Sequence, residues 1–340
     1  ERQEPASSTP SYWSRKACCK MLIVAWETTA ACNLACGYCR ASATQQPDGQ
    51  ELSTVEAAAF LESIAPLQPM LILSGGEPLL RPDIFLLARS GAALGMRVSL
   101  ASNGTLITPD IAERIRQSGI TRVSISLDGA GAKRHDASRG PGSFDAAMRG
   151  VRSLCSRVPF QINFTITCRN ESDVAAIFDL AEREGAAALH FFFLVATGRG
   201  RQEDQVSPER QEELLHEIDR LRQWRSVEVH VTCAPQYALA AQGRGRRPGG
   251  CLAGRSFVFV SRRGEVYPCG YFPIPAGSIR EKNFIEIWQN SPLLQALRER
   301  ALSGRCGRCG YTAICGGCRA RAYAAAGDFL GPDPSCTLEV

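Results

Sequence analysis

Short apolar runs and helical stripes alternate along most of the chain. Runs bounded by turn residues fall at 22–27, 71–74, 97–101, 123–127, 161–167 and 189–195, and their length marks them as buried strands. Helical patterns fill the intervals. Ser53-x-x-Glu56 is a capping box, and Thr108 followed by Pro109 sets a cap and a first-turn proline ahead of Ile111, in a helix closed by Gly119. Asn170 is expected to cap a helix whose Val174, Ile177, Phe178 and Ala181 share one face, ending at Gly185. Strand followed by helix, six times over, predicts parallel strands joined by right-handed crossovers.

Beyond residue 195 the rhythm changes. Ser207-Pro208 opens a helix lined by Leu214, Leu215, Ile218 and Leu221, and alternating Val227, Val229 and Val231 predict one more strand. A Gly-, Arg- and Pro-rich connector at 243–250 follows. Residues 1–20 are polar and aperiodic. The expected organisation is an N-terminal extension over 1–20, an α/β unit over 21–225, and a bridging segment with a cysteine-rich tail over 226–340.

Composition narrows the class. The chain has 340 residues, 44% apolar and 21% charged, which suits a globular protein and excludes wholesale disorder. The early apolar stretch at 21–26 is too short for a membrane span or a signal-peptide core, so no membrane partner and a cytoplasmic location are expected. Net charge is +5, with no interleaved basic and aromatic stripe, so no nucleic-acid partner is expected either. Fifteen cysteines are the anomaly, because a reducing compartment makes disulfides rare and favours metal or cluster ligation. Cys18, Cys19, Cys155 and Cys168 stand apart and receive no role.

Cys32-x-x-x-Cys36-x-x-Cys39 follows directly on the first strand, at the end where β/α barrels carry their chemistry. A cubane of four irons needs four ligands, so three close thiolates leave one iron open to an outside molecule. Zinc knots usually pair cysteines as Cys-x-x-Cys, and the first spacing here departs from that habit. With Tyr38 before its last cysteine, the loop resembles the signature of radical S-adenosylmethionine (SAM) enzymes. The resemblance implies a partial (β/α)6 barrel, in which SAM chelates the open iron of a [4Fe-4S] cluster and the reduced cluster releases a 5′-deoxyadenosyl radical.

Ser74-Gly75-Gly76-Glu77-Pro78 closes the second strand. Its glycines permit close backbone approach and Glu77 offers an acceptor, although Gly-Gly alone also suits an ordinary turn. The segment resembles the family's Gly-Gly-Glu-Pro motif, which implies that Gly75, Gly76, Glu77 and Pro78 hold the methionine moiety. By the same resemblance Ser126 and Asp128 contact the ribose and its surroundings, with Ser102 and Asn103 nearby, and Arg139 pairs with the SAM carboxylate.

The tail reads Cys251, then Gly264-x4-Cys269, then Cys306-x2-Cys309-x5-Cys315-x2-Cys318, and finally Cys336. It resembles the SPASM extension, which carries auxiliary clusters, and departs from it at Cys315-x2-Cys318, where that family has three intervening residues. The resemblance implies that Cys306, Cys309, Cys315 and Cys336 hold one auxiliary [4Fe-4S] cluster, while Cys251, Cys269 and Cys318 hold another. The second set is one ligand short. Cys233 completes it, or the iron stays open to substrate or another donor; a structural zinc in place of one cluster is the competing idea.

Within the SPASM subgroup, Ala25-Trp26-Glu27-Thr28-Thr29, Cys39-Arg40-Ala41-Ser42-Ala43, the segment 191–200 and Cys315-Gly316-Gly317-Cys318-Arg319-Ala320-Arg321 are most similar to the haem-synthesis branch. The resemblance implies an anaerobic oxidoreductase that oxidatively decarboxylates two propionates of iron-coproporphyrin III to vinyls, giving haem b in siroheme-dependent biosynthesis. Its partners would be a tetrapyrrole substrate and an electron donor such as ferredoxin or flavodoxin. Arg199, Arg201, Arg244, Arg246 and Arg247 are candidate partners for the substrate's carboxylates. The alternatives are propionate removal in haem d1 formation, peptide maturation and a non-catalytic cluster scaffold. A maturase would carry a peptide-clasping domain ahead of the barrel, and with some twenty residues before the first strand none is expected.

Overall fold

The computed structural model describes residues 21–241 and 249–339. The expected extension over 1–20, with Cys18 and Cys19, and the connector arginines Arg244, Arg246 and Arg247 lie outside the described residues.

Six parallel strands appear where the apolar runs placed them: β1 (Ile23–Glu27), β2 (Met70–Ser74), β3 (Arg97–Ser102), β4 (Ile120–Ser126), β5 (Phe160–Ile166) and β6 (Ala188–Phe193). The helices between them are α1 (Thr54–Ile64), α2 (Ile84–Ala93), α3 (Pro109–Gln117), α4 (Ala132–Arg139), α5 (Ser143–Leu154) and α6 (Val174–Arg183), and α7 (Pro208–Leu221) follows β6. The Ser53/Glu56 box and the Thr108 and Ser207 caps form as expected. Asn170 is a correction, because its side chain makes no cap. Its Oδ1 accepts from the Thr167 N–H and hydroxyl, and its amide donates to the carbonyls of Asp128 and Thr165. The side chain reaches back into the preceding loop in place of capping the helix.

The valines at 227–231 form β7 (Glu228–Thr232), which extends the parallel row beside β6. On the opposite flank β8 (Phe257–Val260) pairs in parallel with β1, and the short β9 (Glu265–Tyr267) and β10 (Gly277–Ser278) continue antiparallel. The result is one open sheet in the order β10-β9-β8-β1-β2-β3-β4-β5-β6-β7, not closed into a barrel.

Strand parity explains the two faces. On β5, Phe160, Ile162, Phe164 and Ile166 are buried while Gln161, Asn163 and Thr165 are half-buried. Phe191 of β6 meets Phe178 of α6, and Trp26 of β1 meets Phe60 of α1. The apolar residues therefore face the helices, and the polar ones line the concave face.

Candidate active site

The loop after β1 carries Cys32, Cys36 and Cys39, and it is held from both ends. Cys32 N donates to Thr44 O (2.7 Å) and Thr44 N to Ala30 O (3.0 Å). Glu51 accepts from Ala30 N (2.7 Å), Asp48 N (2.8 Å) and the Thr29 hydroxyl (3.0 Å). The backbone N–H groups of Leu34 and Ala43 point at the sulfurs of Cys32 and Cys39, at 3.4 and 3.5 Å. Such contacts stabilise a thiolate. Burial opposes them, pushing the Cys32 thiol up to about 11 and Cys36 upward as well, so a bound cation must displace those protons.

The Gly75-Gly76 segment lies against this loop. Gly76 N donates to Thr29 O and Glu77 N to Ala31 O, both at 2.7 Å. A Cβ on Gly76 would stand 2.4 Å from Ala31 O, so glycine is required for the approach. Buried Glu77 accepts from the Ser102 hydroxyl (2.9 Å), Asn103 N (2.8 Å) and Leu79 N (3.2 Å), bracketing the ends of β2 and β3. Burial nevertheless pushes its carboxyl up to about 7. Pro78 opens the short 3-10 turn that follows. Asn103 donates to Asn33 Oδ1 (2.9 Å) and lies 3.9 Å from the Cys32 sulfur.

Asp128, fully buried beyond the end of β4, forms an ion pair with Arg139. Its second oxygen accepts from Thr165 N (2.9 Å), and its own N–H donates to Nδ1 of His135 (3.2 Å). Burial, then the Arg139 charge, push His135 down to about 4, so the ring is neutral and free to accept. Burial disfavours the Arg139 charge, but the Asp128 carboxylate outweighs it and holds the guanidinium protonated. Only Arg139 Nε is committed to Asp128, and no hydrogen bond engages its two terminal nitrogens among the described residues. The Tyr38 hydroxyl is buried here without a hydrogen-bond partner. Ser126 ends β4 on the concave face, level with Asn163.

Arg199 and Arg201 do not reach into that concavity. Arg199 donates to Cys36 O (2.9 Å) and Ala43 O (2.8 Å), clasping the cysteine loop, and Arg201 pairs with Glu203 and Asp204. The clasp escapes sequence reasoning because it joins residues far apart in the chain. Its one local trace is Gly198, where a Cβ would lie 2.4 Å from Cys39 O.

In the tail the cysteines separate into two groups. Cys233, Cys269 and Cys318 pack with Val195, Phe272 and Ala320 in a small apolar cluster, and Cys251 lies within electrostatic reach of all three. Cys233, expected as the missing fourth member, turns into the group with a left-handed backbone (φ 64°). For a residue other than glycine that conformation is strained. Cys306, Cys309, Cys315 and Cys336 line a separate cleft. Asp333 joins the groups, its N–H pointing at the Cys306 sulfur (3.4 Å) and its carboxylate accepting from Cys318 N (2.6 Å). Arg40, next to Cys39, donates to the carbonyl of Gly270, next to Cys269 (3.2 Å), and so ties the first loop to the tail.

Among the described residues no three His, Cys, Asp or Glu side chains are spaced to hold a single metal ion. In an iron–sulfur cluster each thiolate takes its own iron, and the soft thiolate donors of these two groups suit one. The Radical SAM superfamily matches residues 26–181, and an iron–sulfur cluster-binding domain, SPASM, matches 251–310. The AdoMet-dependent heme synthase of Methanosarcina barkeri is 45% identical over 92% of this chain and 95% of its own length.

The chain belongs to the radical SAM superfamily. Its cofactors are iron–sulfur clusters and SAM. The pre-heme d1 synthase of Dinoroseobacter shibae is 34% identical over 93% of this radical SAM chain and 86% of its own. The Streptococcus suis SuiB structure bound to S-adenosylmethionine has the same fold, with a TM-score of 0.77 at 18% identity, over 94% of this chain and 77% of that one. No helix among the described residues is long and apolar enough to cross a membrane.

Proposed function

We propose that this radical SAM enzyme oxidatively decarboxylates two propionates of iron-coproporphyrin III to vinyl groups, giving haem b. The observation that carries the reading is the 45% identity, over nearly the whole length of both chains, to an enzyme named AdoMet-dependent heme synthase. Pre-heme d1 synthase is more distant, at 34%.

In this reading Cys32, Cys36 and Cys39 hold the SAM-cleaving cluster. SAM bound there would supply the 5′-deoxyadenosyl radical needed to take one hydrogen atom from a propionate β-carbon. The C–C bond to the carboxylate then breaks, CO2 departs, a vinyl group forms, and one electron is left over. The chain's part is to position and to exclude side reactions. Gly75, Gly76, Glu77 and Pro78 shape the seat of the methionine moiety, with Ser102 and Asn103 fixing Glu77 and the loop. Arg139 offers its terminal nitrogens to the SAM carboxylate while Asp128 fixes its Nε. Tyr38, Ser126 and Asp128 border the nucleoside. Cys306, Cys309, Cys315 and Cys336 hold one auxiliary cluster; Cys233, Cys251, Cys269 and Cys318 hold the other, to which the surplus electron passes. A donor such as ferredoxin or flavodoxin reduces the first cluster, and the reaction runs in the cytoplasm.

The test is anaerobic incubation of the reconstituted enzyme with SAM, a strong reductant and iron-coproporphyrin III. Haem b is expected, seen by mass as loss of two carboxyl groups with their hydrogens. If this substrate returns untouched while didecarboxysiroheme or a peptide is consumed, the reading is wrong.

A further inference from the structure

One titratable group on the concave face has no part in the site described above. Parity puts His190 of β6 on that face, because its neighbours Leu189 and Phe191 are fully buried and Phe191 packs on α6. The sheet register sets Ser126, Asn163, His190 and His230 side by side on β4 to β7, in one row. Adjacent strands lie about 4.8 Å apart. His190 therefore stands roughly 10 Å from Ser126, on the same face and level as a residue read as bordering the SAM nucleoside.

The ring is oriented by its neighbours. Its Nε2 lies 2.6 Å from the Thr232 hydroxyl, its face is 4.3 Å from the Phe192 ring, and His230 is 5.4 Å away. No hydrogen bond engages Nδ1 among the described residues. Burial, then the neighbouring His230, lower its pKa to about 3, so the imidazole is neutral at physiological pH. With the proton on Nε2, donated to the Thr232 hydroxyl, Nδ1 keeps the lone pair that a metal-ligating histidine requires.

The substrate in the reading above is itself a metal complex: its iron sits in a plane of four nitrogens and takes further ligands above and below it. We propose that His190 binds the iron of the porphyrin substrate as an axial ligand through Nδ1, with Thr232 holding the ring. The inference rests on the porphyrin reading. Coordination at this row fixes the macrocycle by its centre and leaves its rim, where the propionates are attached, to face the SAM end of the sheet. It involves no redox step, only donation of an imidazole lone pair.

The test compares wild type, His190→Ala, His190→Gln and His230→Ala, each carrying its clusters and each titrated anaerobically with iron-coproporphyrin III and with metal-free coproporphyrin III. Optical and EPR spectra of the bound ferric porphyrin report a nitrogen axial ligand directly. In wild type that signature is expected. It should vanish in His190→Ala and return on adding imidazole, with affinity for the iron porphyrin falling about tenfold or more and affinity for the metal-free porphyrin unchanged. His190→Gln keeps a hydrogen-bonding partner for Thr232 but no imidazole, and should also lack the signature. Circular dichroism and iron content establish that the variants fold. Persistence of the signature in both His190 variants, or its loss in His230→Ala alone, overturns the proposal while leaving the porphyrin reading intact. If wild type binds neither porphyrin, the porphyrin reading itself falls.

Discussion

Cys36, in the loop after β1, and Cys233, directly after β7, sit in opposite surroundings. Cys36 lies on a half-exposed loop beside the Arg139 and Asp128 ion pair, with a buried tyrosine hydroxyl left unpaired nearby. Cys233 lies among Val195, Phe272 and Ala320, and burial drives its thiol far up. In the proposed function the contrast follows from task. A site that must admit a charged ligand to an open iron needs polar groups around the vacant position, whereas one that only passes an electron gains from a dry, fully ligated setting.

The strongest test of that division removes the loop thiols altogether. Replacing Cys32, Cys36 and Cys39 by alanine should abolish 5′-deoxyadenosine formation while the tail's iron and its EPR signals remain. Normal SAM cleavage in that variant would erase the distinction between the two regions. Next in size is Cys233→Ala, which should alter the EPR signal and midpoint potential of one tail cluster and leave the loop cluster intact. An unaltered signal would assign the fourth position to another donor.

A smaller effect is expected at Arg139. A charged hydrogen bond is worth about 1.5–3 kcal/mol, so Arg139→Ala should raise the SAM dissociation constant about tenfold or more by calorimetric titration. Because alanine also strands a buried Asp128, Arg139→Lys is the control, and it should retain the fold while losing part of the affinity. Equal affinity in both variants and wild type would leave the guanidinium serving Asp128 alone.

The smallest effect concerns pH. Neutral His135 accepts the Asp128 N–H, and its pKa is lowered from 6.5 to about 4. A histidine depressed in the folded state gives stability that is present above the unfolded value and lost as pH falls through 6.5 toward 4. Lowering the pH from about 7.5 to about 5.5 should cost roughly 1 kcal/mol through this group, measured by urea unfolding. His135→Gln, which has no such proton to gain, should show a shallower acid limb; identical limbs would remove His135 from the account.

What the sequence made legible was local. Cysteine spacing, the capping box at Ser53 and Glu56, and the Gly75-Gly76 approach are short-range devices, each requiring particular residue types a few positions apart. The Arg199 clasp on Cys36 and Ala43, the Asp333 link between the two cysteine groups, and the placing of His190 beside Thr232 join residues 15 to 163 positions apart, and no local pattern announces them. Asn170 misled for a related reason: the side chain that suits a helix cap can equally bond back to the preceding backbone, and contacts with Thr167, Asp128 and Thr165 decided between them. The strand at 228–232 was visible, but its place beside β6 was not, since alternation fixes a face and not a neighbour.

The pairing of β8 with β1 has a consequence for how the chain is made. β1 is synthesised long before β8, and until Phe257 and its neighbours emerge its flank opposite β2 lacks that partner. At translation rates of about 5–20 residues per second that flank stays open for tens of seconds. An open strand edge is a template for pairing with other chains. Ribosome-bound nascent chains, and any shortened version ending before β8, should therefore self-associate, so the cysteine-rich tail also acts as the seal on the free flank of β1.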